Sequence, residues 1–231
     1  MDTKKRVLQV IPCLELGGTE AFVMNNYRQV DTEKMQFDFF VFSEKNYPYL
    51  EEINNRGGKV FYGAQPSLKN TVRFYKAFNR AVKVGGPYTA VHCHANISNA
   101  LPILCAALCN IKIRIAHSHA VANKPKNIAK RLIFSIRKWA ITTFSTKLLA
   151  CSKEAGVSLF GSKSFSLKGS VCNNGIDVEK FTKINEEKLS VLREEFAISK
   201  TDGPIFGNIS RFDKNKNQSF IVEVFAELLK E

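Results

Sequence analysis

The sequence predicts an α/β protein. It divides into a Rossmann-like parallel-sheet domain over residues 1–181, a linker helix over 182–203, and the first strand–helix unit of a second Rossmann-like domain over 204–231. Three observations carry that prediction. Short apolar runs alternate with stretches of helical periodicity, the order of a parallel sheet with helices on both faces. The runs are apolar along their length, as burial on both sides requires. After Phe181 the composition turns polar, and a fresh strand–helix pair follows that cannot bury its own faces.

The elements follow in order. Val7–Ile11 reads as a strand and Glu20–Val30 as a helix, with Gly17-Gly18-Thr19-Glu20 between them. Thr19 is the expected cap of that helix. Phe37–Phe42 is a second strand. Tyr49–Arg56 is a short helix stopped by Gly57-Gly58. Lys59–Tyr62 is a third strand, and Leu68–Val84 a helix ended by Gly85-Gly86-Pro87. Ala90–Cys93, Ile111–Ala116, Leu148–Cys151 and Ser170–Cys172 complete the strands. Helices lie at Ser98–Cys109, Asn127–Phe144 and Lys153–Phe160. The first of these is apolar nearly all round and so is expected to be buried. Beyond the linker, 204–210 reads as a strand, RFDKNKNQ as a polar loop and Ser219–Lys230 as a helix.

Composition narrows the function. The apolar fraction of 45% suffices for a packed core, and no apolar run approaches the roughly 18 residues that span a bilayer. The first residues read as a strand rather than a signal peptide. Six cysteines sit singly within apolar segments without a CxxC pair, which suits reduced core thiols in a cytoplasmic protein. The net charge of +13 is concentrated: from Ile53 to Lys153 there are 17 Lys and Arg and no Asp or Glu. That stretch faces something anionic or stays solvated. Nucleic acid is not expected, because the aromatic residues fall within apolar elements instead of alternating with the basic ones.

Four stretches hold candidate chemistry. Gly17-Gly18 at the first strand–helix turn lets backbone approach a ligand beside a helix N-terminus. It matches neither the dinucleotide nor the Walker spacing. All four histidines form two pairs, His92/His94 and His117/His119, at the ends of predicted strands. Imidazoles there suit a phosphate or a sugar hydroxyl. Zinc is set aside, since alternation along a strand divides side chains between two faces and no carboxylate lies nearby. Asn174-Gly175-Ile176-Asp177 reads as a turn. Arg211 and Lys216 follow the strand of the second domain, a fork and a point charge suited to a diphosphate.

In this order the stretches resemble the retaining glycosyltransferases of family 4, which have the two-domain GT-B architecture. The likeness covers essentially the whole chain: the GG-x-E loop at Gly17–Glu20, IRIAHSHA, LLACSKE from Leu148, NGID at Asn174–Asp177, and Lys216-Asn217. Ser210 stands where the family's Gly-Arg has glycine. IRIAHSHA with NGID is most like bacterial enzymes of capsule or exopolysaccharide synthesis. The resemblance implies transfer of a sugar from a nucleotide-sugar donor to a glycan or lipid-linked acceptor, with retention, no cofactor and no required metal. Gly17, Gly18, Arg211 and Lys216 then meet the donor diphosphate. One of His117 and His119 matches the family's catalytic-cleft histidine, and the choice stays open. The family's E-x7-E pair and nucleoside pocket would lie beyond Glu231. The expectation is therefore a truncated chain, a fragment, or one half of a pair with a separate C-terminal half.

The helix Asn127–Phe144 places Ile128, Leu132, Ile136, Ala140 and Thr143 on one stripe. Lys126, Lys130, Arg131, Arg137 and Lys138 lie largely elsewhere. A basic amphipathic helix suits an anionic membrane and a lipid-linked acceptor, with the protein peripheral on the inner face of the plasma membrane. A second reading is a non-catalytic remnant or partner subunit, binding membrane or a partner protein through this face.

Overall fold

A computed structural model describes residues 4–182, 185–199, 206–210 and 212–230. The backbone forms two compact units, residues 1–177 and 178–231.

The first unit is a seven-stranded parallel sheet. Its strands are β1 (Lys5–Ile11), β2 (Met35–Val41), β3 (Val60–Tyr62), β4 (Ala90–Cys93), β5 (Ile113–Ser118), β6 (Lys147–Ala150) and β7 (Gly169–Val171). They lie in the order β3-β2-β1-β4-β5-β6-β7. The chain builds outward from β1 in one direction, then returns to β1 and builds the other way. The switch point lies between β1 and β4, where open sheets of this kind place their ligands.

Seven helices cover this sheet: α1 (Gly18–Gln29), α2 (Leu50–Asn55), α3 (Thr71–Gly85), α4 (Ala100–Leu108), α5 (Ile128–Phe144), α6 (Lys153–Phe160) and α7 (Ser162–Lys168). Strand side chains alternate between two cores. Ile11, Phe37, Phe39 and Val41 point to the core under α1 and α2, with Phe22, Tyr27 and Ile53. Leu8, Val10, Phe40, Val91 and Ala116 point to the other, with Phe74, Phe78, Ile103 and Ile141. Phe40 meets Phe74 and Phe78 at ring distances of 5.4 Å each, so Phe40→Ala would cost about 3–5 kcal/mol. At the N-terminal end of the strands, the fully buried Asp38 accepts hydrogen bonds from Arg6, Tyr88 Oη and the Lys59 N–H.

Local signals explain the helix ends. Asn127 caps α5 by accepting from the Lys130 N–H, and Ser152 caps α6 by accepting from the Ala155 N–H. Thr19 does not cap α1, because Gly17 in extended conformation is the cap and Thr19 lies inside the helix. Helix α7 was not expected from the sequence. Gly161, at φ +85°, ends α6 and lets a new helix begin at once, with Phe165 stacked on Phe160 at 6.1 Å. Strand β5 starts two residues later than its apolar run, which puts His117 and Ser118 inside the strand.

In the second unit, the described helices are α8 (Glu179–Thr182), α9 (Glu186–Glu195) and α10 (Gln218–Leu228), with a 3-10 turn at Lys214–Lys216. The strand expected over 204–210 is not regular across its described residues 206–210. A lone extended segment needs a ladder partner, and none pairs with it among the described residues. The rest of that segment, 204–205, lies outside the described residues.

Candidate functional site

The site stands at the C-terminal ends of β1, β4 and β5. Residues two apart on a strand share a face, so His92 and His94 point the same way, as do His117 and His119. Cys93, between the first pair, and Ala116, just before the second, point to the opposite core. The expectation that strand alternation would separate the paired histidines is therefore corrected: all four rings gather on the α1 side of the sheet. Ring centroids lie 4.0 Å apart for His92–His94, 4.1 Å for His117–His119 and 5.1 Å for His94–His119.

Hydrogen bonds order the cluster. His94 Nε2 lies 2.9 Å from Gln9 Oε1, and His94 Nδ1 lies 2.8 Å from His119 Nε2. An amide oxygen only accepts, so the His94 proton belongs on Nε2, and Nδ1 accepts from His119. His92 Nε2 and His117 Nδ1 stand 3.2 Å apart. His117 Nε2 is buried with no hydrogen-bond partner. Whichever tautomer His117 adopts, that nitrogen leaves a donor or acceptor unmet, a cost of about 1–3 kcal/mol.

Burial holds every ring neutral. His92 is pushed down to about 3 and His119 to about 4, mainly by loss of water around the ring. His94 and His117 are lowered by the same cause and by neighbouring imidazoles. Neutral rings offer both a lone pair and an N–H, the combination that addresses sugar hydroxyls.

Helix α1 roofs the cluster. The Phe22 ring lies 5.1 Å from His117, 5.3 Å from His119 and 6.3 Å from His94. The turn that starts this helix is Gly17-Gly18, so two sequence-predicted features lie together. Gly18 has open space where a side chain would be, as close approach of a ligand requires. At Gly17 a Cβ would meet the carboxylate end of the Glu20 side chain, which can move aside. Glu20, in the first turn, accepts from the Cys13 thiol at 3.2 Å. On the far side, Asn96 (φ +48°) holds the backbone at the cluster by accepting from the His119 N–H at 3.1 Å.

Gln9, Phe22 and Asn96 were not anticipated, whereas Glu20 was part of the predicted GG-x-E loop. A signal existed for Gln9 alone, as the one polar residue inside the run Val7–Ile11, where it is now 2% exposed.

The remaining predicted residues belong to other segments of the chain. On α5, Ile128, Leu132, Ile136 and Trp139 form a stripe that faces solvent, 55–83% exposed, while Ile141 is buried on the opposite side. Lys126, Lys130 and Arg131 are exposed. Arg137 and Lys138 are half-buried, and burial lowers Lys138. Arg137 lines an apolar groove with Leu68, Leu101, Leu104, Ile136 and Ala140. The Asn174–Asp177 turn closes the first unit without regular structure. In the second unit, Lys216 is exposed directly before α10, whose cap Asn217 is left-handed at φ +49°. Arg211 lies outside the described residues. Among the described residues all six cysteines are free, and no helix is long and apolar enough to cross a membrane.

Residues 16–180 match the Glycosyltransferase Family 4 profile. The chain is 33% identical over 228 residues to EpsF of Bacillus subtilis (strain 168), a protein named as a glycosyltransferase. It is 23% identical to CapH of Staphylococcus aureus, a capsular polysaccharide biosynthesis glycosyltransferase. In both cases 98% of this chain aligns, and it spans 59% of the relative. Among solved structures, Anabaena Alr3699/HepE in complex with UDP-glucose superposes with a TM-score of 0.71 at 13% identity. That match covers 96% of this chain and 57% of HepE. HepE in complex with UDP gives a TM-score of 0.69. These superpositions establish the fold.

Proposed function

The chain belongs to glycosyltransferase family 4, and from that membership we propose that it serves sugar transfer in polysaccharide biosynthesis. The donor is a nucleotide sugar, a uridine diphosphate sugar being favoured by the HepE complexes with UDP and UDP-glucose. The acceptor is a glycan, carried on lipid at the membrane. Transfer proceeds with retention and needs no metal.

One observation carries this reading. In a chain whose residues 16–180 match the family, the Gly17-Gly18 helix start and a neutral imidazole cluster converge at the sheet's switch point. His119, at the less buried end of the cluster, is the group assigned to the donor sugar. His117, fully buried with Asn99 donating to its carbonyl, supports it from below. Gly18 offers a bare N–H at a helix N-terminus to an anion. Lys216, before α10, and Arg211 supply the cations for the leaving diphosphate. The solvent-facing stripe of α5, with Lys126, Lys130 and Arg131 around it, supports the membrane side. Arg137 and Lys138 border the same face.

The test offers the purified chain a panel of nucleotide sugars, with an anionic lipid fraction as acceptor. Nucleotide release and saturable nucleotide-sugar binding are measured. Binding that weakens on Lys216→Ala and Arg211→Ala, and turnover that falls on His119→Ala, are expected. Neither binding nor release with any donor would overturn the reading. A folded chain that binds anionic vesicles but no donor would instead favour a non-catalytic membrane-binding role.

A further inference from the structure

The imidazole cluster has a property that sugar contact does not use. One ligand nitrogen from each of His92, His94 and His117 lies within 4.8 Å of the others. A tetrahedral centre with nitrogen bonds of about 2.0–2.1 Å holds its ligands about 3.3 Å apart. His92 Nε2 and His117 Nδ1 already stand at 3.2 Å, one edge of such a polyhedron. Small ring rotations are needed to close the rest.

The third ligand is pre-oriented. Gln9 Oε1 takes the Nε2–H of His94, which puts the Nδ1 lone pair on the cluster side, where His119 Nε2 now donates to it. A ligating imidazole is characteristically fixed in this way, by an acceptor on its far nitrogen. Gln9 is itself buried. His117 is fully buried, and its Nδ1 faces His92 Nε2. Phe22 packs edge-on against His117, and Asn96 accepts from the His119 backbone N–H. A purely imidazole set selects zinc, copper, nickel or cobalt over magnesium or calcium, which want oxygen.

We propose that His92, His94 and His117 form a binding site for a divalent transition-metal ion of the zinc class, oriented by Gln9. The ion ties β4 to β5 beneath α1. The proposal does not rest on the transfer reading, since an ion there has no assigned part in moving the sugar.

The experiment uses the full 231-residue chain, stripped with chelator and titrated with Co²⁺ and then Zn²⁺. One equivalent of Co²⁺ is expected to give the intense visible absorption of a four- or five-coordinate site. One equivalent of Zn²⁺ should abolish it. His92→Gln and His94→Gln should each weaken Zn²⁺ binding at least about 100-fold, and Gln9→Leu about 10-fold. Alkylation of the accessible cysteines of the folded chain beforehand should leave binding unchanged. Should a histidine variant fail to fold, the imidazole nitrogen resonances of the unaltered chain decide. A shift of His92, His94 and His117 at one equivalent of Zn²⁺ supports the site. Absence of saturable binding, binding lost on cysteine alkylation, or those resonances left unmoved would each overturn it.

Discussion

Replacing Arg6 by methionine gives the most direct test of how the sheet is held at its closed end. Asp38 is fully buried and accepts from Arg6 Nε at 3.0 Å and Nη2 at 2.6 and 2.7 Å, from Tyr88 Oη at 2.8 Å, and from the Lys59 N–H at 2.8 Å. These contacts join β1, β2, the start of β3 and the segment before β4. Methionine keeps much of the arginine stem's volume but removes the only cation on the carboxylate among the described residues. Breaking a fully buried pair costs about 3–5 kcal/mol. The Arg6 side chain is 22% exposed, so water reaches the vacated position and the expected loss is about 2–3 kcal/mol. Urea unfolding followed by circular dichroism should show a midpoint lower by about 1 M with an unchanged slope. A second variant, Asp38→Leu on the Arg6→Met background, should recover part of the loss, since the stranded charge is gone. A loss under about 0.5 kcal/mol for Arg6→Met, or a double variant weaker than the single one by the full cost of Asp38→Leu alone, would refute the coupling.

Other outcomes follow from the same contacts. With chelator present, stability should be full above about pH 6.5 and decline as the pH falls, because the unfolded chain binds protons that the folded rings refuse until about 4 for His119 and about 3 for His92. Each such ring adds a slope of about 1.4 kcal/mol per pH unit, and urea midpoints that stay flat from about pH 7 to 5 would contradict the burial of the cluster. The Cys13 thiol is pushed up first by burial and further by Glu20, so Glu20→Gln should speed its alkylation several-fold at mildly alkaline pH; an unchanged rate, read by peptide mass mapping, would deny the contact. On α5, Leu132→Ser with Ile136→Ser should lower partitioning onto anionic vesicles by at least about tenfold, while added salt weakens the unaltered chain. Binding insensitive to both would remove the membrane role.

Much of this was legible in the sequence because strand runs and caps are local signals. Val7–Ile11, Phe37–Phe42 and Ala90–Cys93 announced central strands through continuous apolarity, and Asn127 and Ser152 announced helix starts. Helix α7 escaped because its beginning depends on the backbone conformation of one residue, Gly161, rather than on a pattern. The histidine pairs were visible, but their convergence was not: it depends on β4 and β5 being neighbours in a register that sets His92 beside Ile115 and Cys93 beside Ala116. Phe22 gave no sign of its role, since an aromatic residue in a helix is ordinarily core. The α5 stripe was read correctly as a pattern, yet which way it faces was decided by Ile141 taking the buried side.

The place of β1 between β2 and β4 has a consequence for synthesis on the ribosome. Its partner on one side, β2, emerges soon after it, but the partner on the other, Ala90–Cys93, is made much later. For on the order of ten seconds at ordinary elongation rates, the apolar edge of β1 stays open to solvent, chaperones and other nascent chains. Substitutions that slow the arrival of β4 would therefore reduce the yield of protein while leaving the finished molecule as resistant to urea as before.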